Sequence, residues 1–241
     1  MGELVFIGLG IDEGYMTLKG MEEAKKCDKL FAEFYTSKVF SSLDFGKDVE
    51  VLEREEVEDG RRILDEAEKR SVALLVPGDP MAATTHLQLR LEAKKRGINV
   101  KIICGVSIFS AVPSLLGLQH YKFGRTVSLP WPRDGFFPKS PYNSIKENQP
   151  LHTLVLLDTE PQMSANEGIK ILLAIEKEER TGVLKEDRLV CVVARAGSDD
   201  CTIKAGRAGE LVDFNFGATP HAIVIPGELH FMEEESLRLF M

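Results

Sequence analysis

The chain has 241 residues, 44% hydrophobic and 28% charged, an ordinary balance for a globular protein of one large domain or two small ones. Its net charge of −8 argues against a nucleic-acid groove as the main partner surface, since phosphates call for a basic stripe. No run approaches about 18 consecutive apolar residues, so no membrane span is expected.

The N-terminus, MGELVFIGLG, lacks the basic segment and cleavage site of a signal peptide. Gly2 opens a myristoylation pattern that fails at Phe6, where Ser or Thr is needed. A cytoplasmic location is the expectation. Apolar runs of strand length then alternate with helix-period segments, the pattern of an α/β protein with a largely parallel sheet. LVFIGLG (4–10) reads as a buried strand entering a glycine turn. Thr17 is placed to cap a helix with Leu18, Met21 and Ala24 on its inner face. KLFAEFY (29–35) and VEVL (49–52) follow as strands. One charged helix spans about 53–70, and its pairs Glu58–Arg62 and Asp65–Lys69 suit a solvated face. SVALLV (71–76) runs into the turn VPGDPMAATTH (76–86) and then a helix over 86–97. NVKIIC (99–104) leads to IFSAVPSLLG (108–117), where Ser107 is positioned to cap a short helix ended or kinked by Pro113.

Residues 124–150 contain five prolines and read as a short strand followed by a long irregular loop, a class that is usually functional or disordered. Its aromatics Trp131, Phe136, Phe137 and Tyr142 either anchor a docked protein or pin the loop to its own domain or a dimer partner. Alternation resumes with strands LHTLVLLD (151–158), RLVCVVARAG (188–197), CTIKAG (201–206) and HAIVIPG (221–227), with a helix over 164–181 and another near the C-terminus. The change of texture divides the chain into two α/β domains, 1–116 and 117–241. The cysteines, Cys27, Cys104, Cys191 and Cys201, form no CxxC pair. Cys104 and Cys191 read as reduced core residues of an intracellular protein, and no zinc or other metal site is expected.

Two turns carry the functional signal. GLGIDEG places glycines at 8, 10 and 14, but the dinucleotide fingerprint needs its third glycine where Glu13 stands. Asp12 and Glu13 would also repel a pyrophosphate at the helix start. No Walker A loop occurs. A phosphate-rich cofactor is therefore disfavoured, whereas S-adenosylmethionine, a sulfonium with an α-ammonium and no phosphate, suits acidic, proline-stiffened turns. In Gly78-Asp79-Pro80 the carboxylate either contacts such a ligand or caps the next helix in a tight turn.

Read together, FIGLG (6–10), VPGDPMAATTH, GVSIFSAV (105–112) and ARAGS (194–198) resemble the tetrapyrrole-methylase superfamily, the class III S-adenosylmethionine-dependent methyltransferases. AKKCDKLFAEFYTS (24–37), YKFGRT (121–126), SIKEN (144–148), LHTLVLLD, SANE (164–167) and TIKAG (202–206) extend the resemblance, in order along nearly the whole chain, to its archaeal diphthine synthase branch. The resemblance implies two α/β domains with the cofactor cleft between them, and a homodimer. It implies transfer of methyl groups to the amino group of a 3-amino-3-carboxypropyl arm on one histidine of translation elongation factor 2, giving the trimethylated product diphthine. By motif, it places the cofactor contacts at Ile11, Asp79, Ala82, Ser107, Ile108, Leu157, Ala196 and His221. Met81-Ala82 stands where relatives often have Leu-Val, so Ala82 offers a smaller wall.

Methyl transfer from a sulfonium requires mainly that the acceptor be aligned with the methyl group. No general base is assigned. His86 and His221 qualify by position, but a packing or cofactor-binding role suits them better, and His120, His152 and His230 read as structural. A corrin-precursor or ribosomal RNA methylase is the alternative reading.

Overall fold

A computed structural model describes residues 2–34, 43–133 and 137–241. The chain divides into two compact units, Met1–Ile108 and Phe109–Met241. This division falls at the first residue of a helix, Ile108–Leu116, whose other end is the 116/117 boundary expected from sequence. Both units are α/β, the expected class.

The first unit is built on five parallel strands, β1 (Glu3–Gly8), β2 (Lys29–Ala32), β3 (Val49–Val51), β4 (Ser71–Val76) and β5 (Asn99–Ile103), in the order β3-β2-β4-β1-β5. β1 and β4 lie at the centre and are buried along nearly their full length, which is why they read as continuous apolar runs. Alternate residues serve opposite faces. Leu4, Phe6, Val72 and Leu74 pack with Val57, Ile63, Leu64 and Leu89 of helices α2 (Arg54–Asp59), α3 (Arg61–Ala67) and α4 (His86–Lys95). Val5, Ile7, Ala73 and Leu75 face Ala24 of helix α1 (Leu18–Lys26). Thr17 caps α1 as expected, its Oγ1 accepting from Gly20 N–H at 3.0 Å.

Three expectations for this unit change. Leu18, expected on the inner face of α1, is exposed. The helix over 53–70 is two helices, because Gly60 adopts φ +67 and both ends α2 and opens α3. Glu58 and Arg62 therefore do not share a helix face. Glu58 pairs with Arg54 at 2.8 Å, Arg62 with Glu56 at 2.9 Å and with Glu50, and Asp65 with Arg96 at 2.8 Å. Cys104 is exposed, not core, since it lies just past the end of edge strand β5; Cys191 is buried as expected. Tyr35 and the residues after it to 42, part of one quoted segment, lie outside the described residues.

The second unit holds β6 (Val127–Leu129), β7 (Thr153–Leu157), β8 (Leu189–Ala194), β9 (Thr202–Arg207) and β10 (His221–Ile225), in the order β6-β7-β10-β8-β9. Only β6 and β7 are parallel; β10 runs antiparallel to both neighbours, and β8 and β9 form an antiparallel pair. The expectation of a largely parallel sheet thus holds for the first unit and fails here. Helix α5 (Ile108–Leu116) runs through Pro113 and is followed by Gly117 at φ +70. The long loop contains helix α6 (Lys139–Asn148). Pro141 falls in its first turn, where the missing N–H would have had no partner. α6 and α7 (Ala165–Glu179) pack on one core with Val155, Val192 and Ile223. Ser164 and Glu167 close a reciprocal capping box at the start of α7. Short helix α8 (Ala208–Leu211) and C-terminal α9 (Phe231–Arg238) complete the unit.

The aromatics singled out for docking are mostly internal. Tyr142 is fully buried and donates to Glu176 Oε2 at 2.6 Å. Trp131 donates from Nε1 to Pro161 O at 2.7 Å, and it and Phe137 pack on the core. Phe136 lies outside the described residues. For the other three, pinning the loop to its own unit is the reading that holds.

Candidate functional site

Strands β4, β1 and β5 are neighbours and parallel, so the turns that follow them emerge at one edge, where open parallel sheets bind ligands. Five of the eight positions carried over from the family motifs gather there. Ile11 follows β1, Asp79 and Ala82 follow β4, and Ser107 and Ile108 follow β5; all are half-buried.

The three turns touch backbone to backbone. Gly10 N–H donates to Gly78 O at 3.2 Å and Gly78 N–H to Gly10 O at 2.6 Å. A Cβ on Gly8 would stand 2.5 Å from Gly105 N, and one on Gly105 would stand 2.1 Å from Gly78 O. No side chain fits between them. Asp79 completes the staple: Oδ1 accepts from Met81 N–H at 3.0 Å and Oδ2 from Gly105 N–H at 3.3 Å. It does not cap α4, whose N-cap is Thr85 without a side-chain bond, so the capping alternative falls. The same carboxylate, chiefly through its charge, pushes the neighbouring Cys104 thiol up.

This arrangement tests which cofactor fits. A phosphate site in a glycine turn needs free backbone N–H groups. Here Leu9 N–H donates to Val76 O at 2.8 Å, and the amides of Gly10, Gly78, Met81 and Gly105 are likewise engaged. Segments 8–11, 77–85 and 104–108 contain no Lys or Arg. Carbonyls, one carboxylate and apolar walls suit a phosphate-free, cationic ligand.

In the second unit, Leu157, Ala196 and His221 also share one sheet edge. His221 opens β10 opposite Ala194, the last residue of β8, and Ala222 pairs with Leu156 of β7. Leu157 and His221 line a small pocket with Asp158, Gln162, Met163 and Thr219. His221 is buried, which lowers its pKa. Its Nδ1 accepts from Ala165 N–H at 3.0 Å and its Nε2 donates to Ala218 O at 2.9 Å. Both nitrogens are thus committed to protein partners, and the ring is neutral. Arg195, beside Ala196, has all five guanidinium N–H groups on protein acceptors; none is left for a phosphate.

His86 is also internal. Its Nδ1 donates to Pro80 O at 3.0 Å, burial lowers its pKa, and Nε2 is buried with no partner. Neither His86 nor His221 presents a nitrogen for proton abstraction. His152 is buried against Glu233 and His230 caps α9, so both are structural. Sequence reasoning missed Arg195, although it stands inside the quoted ARAGS, and missed the Gly8–Gly105 contact; the first would have been signalled by a charged residue between a buried strand and two small residues.

Comparison with known proteins agrees with this geometry. Residues 3–212 match the model of the Tetrapyrrole (Corrin/Porphyrin) Methylases. The chain is 45% identical to a diphthine synthase of Methanocaldococcus jannaschii, covering 98% of this chain and 97% of that one, and 43% identical to a diphthine synthase of Methanococcus aeolicus, covering 98% and 96%. Among solved structures it resembles a diphthine synthase at TM-score 0.90, 39% identity and coverage of 98% and 95%. It resembles a putative diphthine synthase from Entamoeba histolytica at TM-score 0.91, 36% identity and coverage of 100% and 98%. With glycine-packed turns at one sheet edge and near full-length identity of this order, the chain belongs to the tetrapyrrole (corrin/porphyrin) methylase family, on its diphthine synthase branch.

Proposed function

We propose that this protein is the S-adenosylmethionine-dependent methyltransferase of diphthamide biosynthesis, adding three methyl groups to the amine of the 3-amino-3-carboxypropyl histidine of translation elongation factor 2. The observation that carries the reading is the 45% identity to a diphthine synthase across 98% of the chain. The relatives do not favour the corrin-precursor or ribosomal RNA alternative. S-adenosylmethionine supplies an electrophilic methyl group on a sulfonium. Ile11, Asp79, Ala82, Ser107, Ile108, Leu157, Ala196 and His221 are the positions we assign to holding it. Asp79 offers the negative charge that a sulfonium or α-ammonium prefers, and the apolar positions exclude water, as in most small-molecule sites.

The chain's task in the reaction is orientation. An amine attacks only when neutral, so a proton must leave before each transfer; His221 has both ring nitrogens on protein partners and the His86 ring is buried, so that step is assigned to neither. No helix among the described residues is long and apolar enough to cross a membrane. We assign the enzyme to the cytoplasm, where its acceptor works, and infer a homodimer.

The test is incubation with labelled S-adenosylmethionine and elongation factor 2 bearing the precursor arm, read by mass. Three methyl groups on one histidine are expected. An unmodified factor in the presence of bound cofactor would refute the acceptor assignment.

A further inference from the structure

We propose that Arg195 is a positioning residue of the cofactor site: its guanidinium locks the loop carrying Ala196 to the loop that sets the proton on His221. This rests on the assignment of Ala196 and His221 as cofactor contacts. Arg195 follows β8 directly and adopts φ +49, a conformation that strains an arginine and costs a glycine little. Among the described residues, the non-glycine positions with positive φ are Ala83, Arg180 and Arg195. Arg180 is the C-cap of α7, an ordinary place for it. The other two adjoin Ala82 and Ala196, one proposed cofactor contact in each unit. A glycine at 195 would relieve the strain, so an arginine held there needs a use for its side chain.

That use is visible in its partners. The side chain is 13% exposed. Nε donates to Asp200 Oδ2 at 2.6 Å, and Nη2 to Asp200 O at 2.8 Å and Thr202 Oγ1 at 3.1 Å. Nη1 donates across to the other loop, to Phe216 O at 2.7 Å and to Ala218 O. The backbone N–H of Arg195 adds a bond to Pro220 O at 2.8 Å. Ala218 O is the shared atom, since it also accepts from His221 Nε2 at 2.9 Å. Fixing that carbonyl keeps the ring proton on Nε2 and leaves Nδ1 to accept from Ala165 N–H. A lysine lacks the planar fork needed to reach acceptors on both loops at once.

The decisive variant is Arg195→Gly, which removes the guanidinium and relieves the backbone. S-adenosylmethionine affinity by calorimetry is expected to fall about tenfold or more. Added guanidinium ion should restore part of it, and Arg195→Lys should recover little. The ¹⁵N signals of the His221 ring should shift, while those of His152, at the other end of the same sheet, stay in place. Wild-type affinity in Arg195→Gly overturns the proposal, as does a loss that follows the thermal midpoint alone with His221 unchanged and no rescue. Ala196→Leu separates the two assignments. Weak binding there with full binding in Arg195→Gly overturns the positioning role alone; full binding in both overturns the cofactor assignment and the proposal with it.

Discussion

Glu233 shows how much a single buried carboxylate can organise. It is fully buried in α9 and accepts from His230 N–H at 2.8 Å, Gln119 N–H at 2.9 Å, His152 Nε2 at 3.1 Å and the Lys122 ammonium. Burial opposes its ionisation, but these donors outweigh it and hold the carboxyl at about 2. A folded-state pKa below the unfolded value stabilises the protein above pH ~4.5, and that stability is lost as the pH falls from there toward 2. Glu233→Gln is therefore expected to cost about 2–4 kcal/mol at neutral pH and to flatten the urea-derived stability profile between pH 5 and 3. A variant with the wild-type slope would show that the carboxylate is not the group titrating. Asp79 makes a contrasting case, because its bonds to Met81 and Gly105 lie at the proposed cofactor edge. Asp79→Asn keeps an acceptor for Met81 but loses the charge and the Gly105 bond. Cofactor affinity should drop about tenfold with a thermal midpoint changed by only a few degrees, as calorimetry and a melting curve can show together.

Elements here are set by glycines as much as by apolar runs. Gly105→Ala would drive a Cβ to 2.1 Å from Gly78 O, and backbone cannot swing aside as a side chain can. The variant should lose about 2 kcal/mol or more and weaken cofactor binding, because the turns after β4 and β5 must part; unchanged melting and binding would mean that the turns tolerate separation. Gly60→Ala tests the α2–α3 break in the same way. Its φ of +67 and a Cβ 2.6 Å from Leu89 Cδ1 predict a loss of about 1–2 kcal/mol by urea titration, with no effect on the cofactor. The sequence made β1, β4 and β7 legible because buried strands leave continuous apolar runs, and the site turns legible because they follow those runs. It left β10 without a direction, since burial records no orientation. It hid α6 behind Pro141, a residue that usually breaks a helix but is tolerated in a first turn, and hid the Gly60 break because charged residues continue a helical pattern on both sides. The position of Arg195 was legible but its partners were not: its acceptors at 216 and 218 lie more than twenty residues downstream.

Across the whole molecule, the proposed contacts share one electrostatic property. The turns after β1, β4 and β5 have no Lys or Arg in segments 8–11, 77–85 and 104–108 and have the amides of Leu9, Gly10, Gly78, Met81 and Gly105 engaged, while the guanidinium beside Ala196 is spent on protein acceptors. A net charge of −8 adds a general bias against anions. A ligand that carries phosphates would lose its hydration without gaining partners, whereas a sulfonium with an ammonium meets carbonyls and Asp79. S-adenosylmethionine at a hundredfold excess over its Kd should therefore stabilise the fold by about 2.7 kcal/mol, a rise in Tm of roughly 5–10 °C for a chain of this size. ATP and NAD at the same concentration should leave Tm where it stands, because the amides of Leu9, Gly10, Gly78, Met81 and Gly105 are already engaged and segments 8–11, 77–85 and 104–108 hold no Lys or Arg. A comparable rise with NAD would show that the glycine turns open to receive a pyrophosphate. No rise with S-adenosylmethionine would show that Asp79 and the apolar walls hold something else.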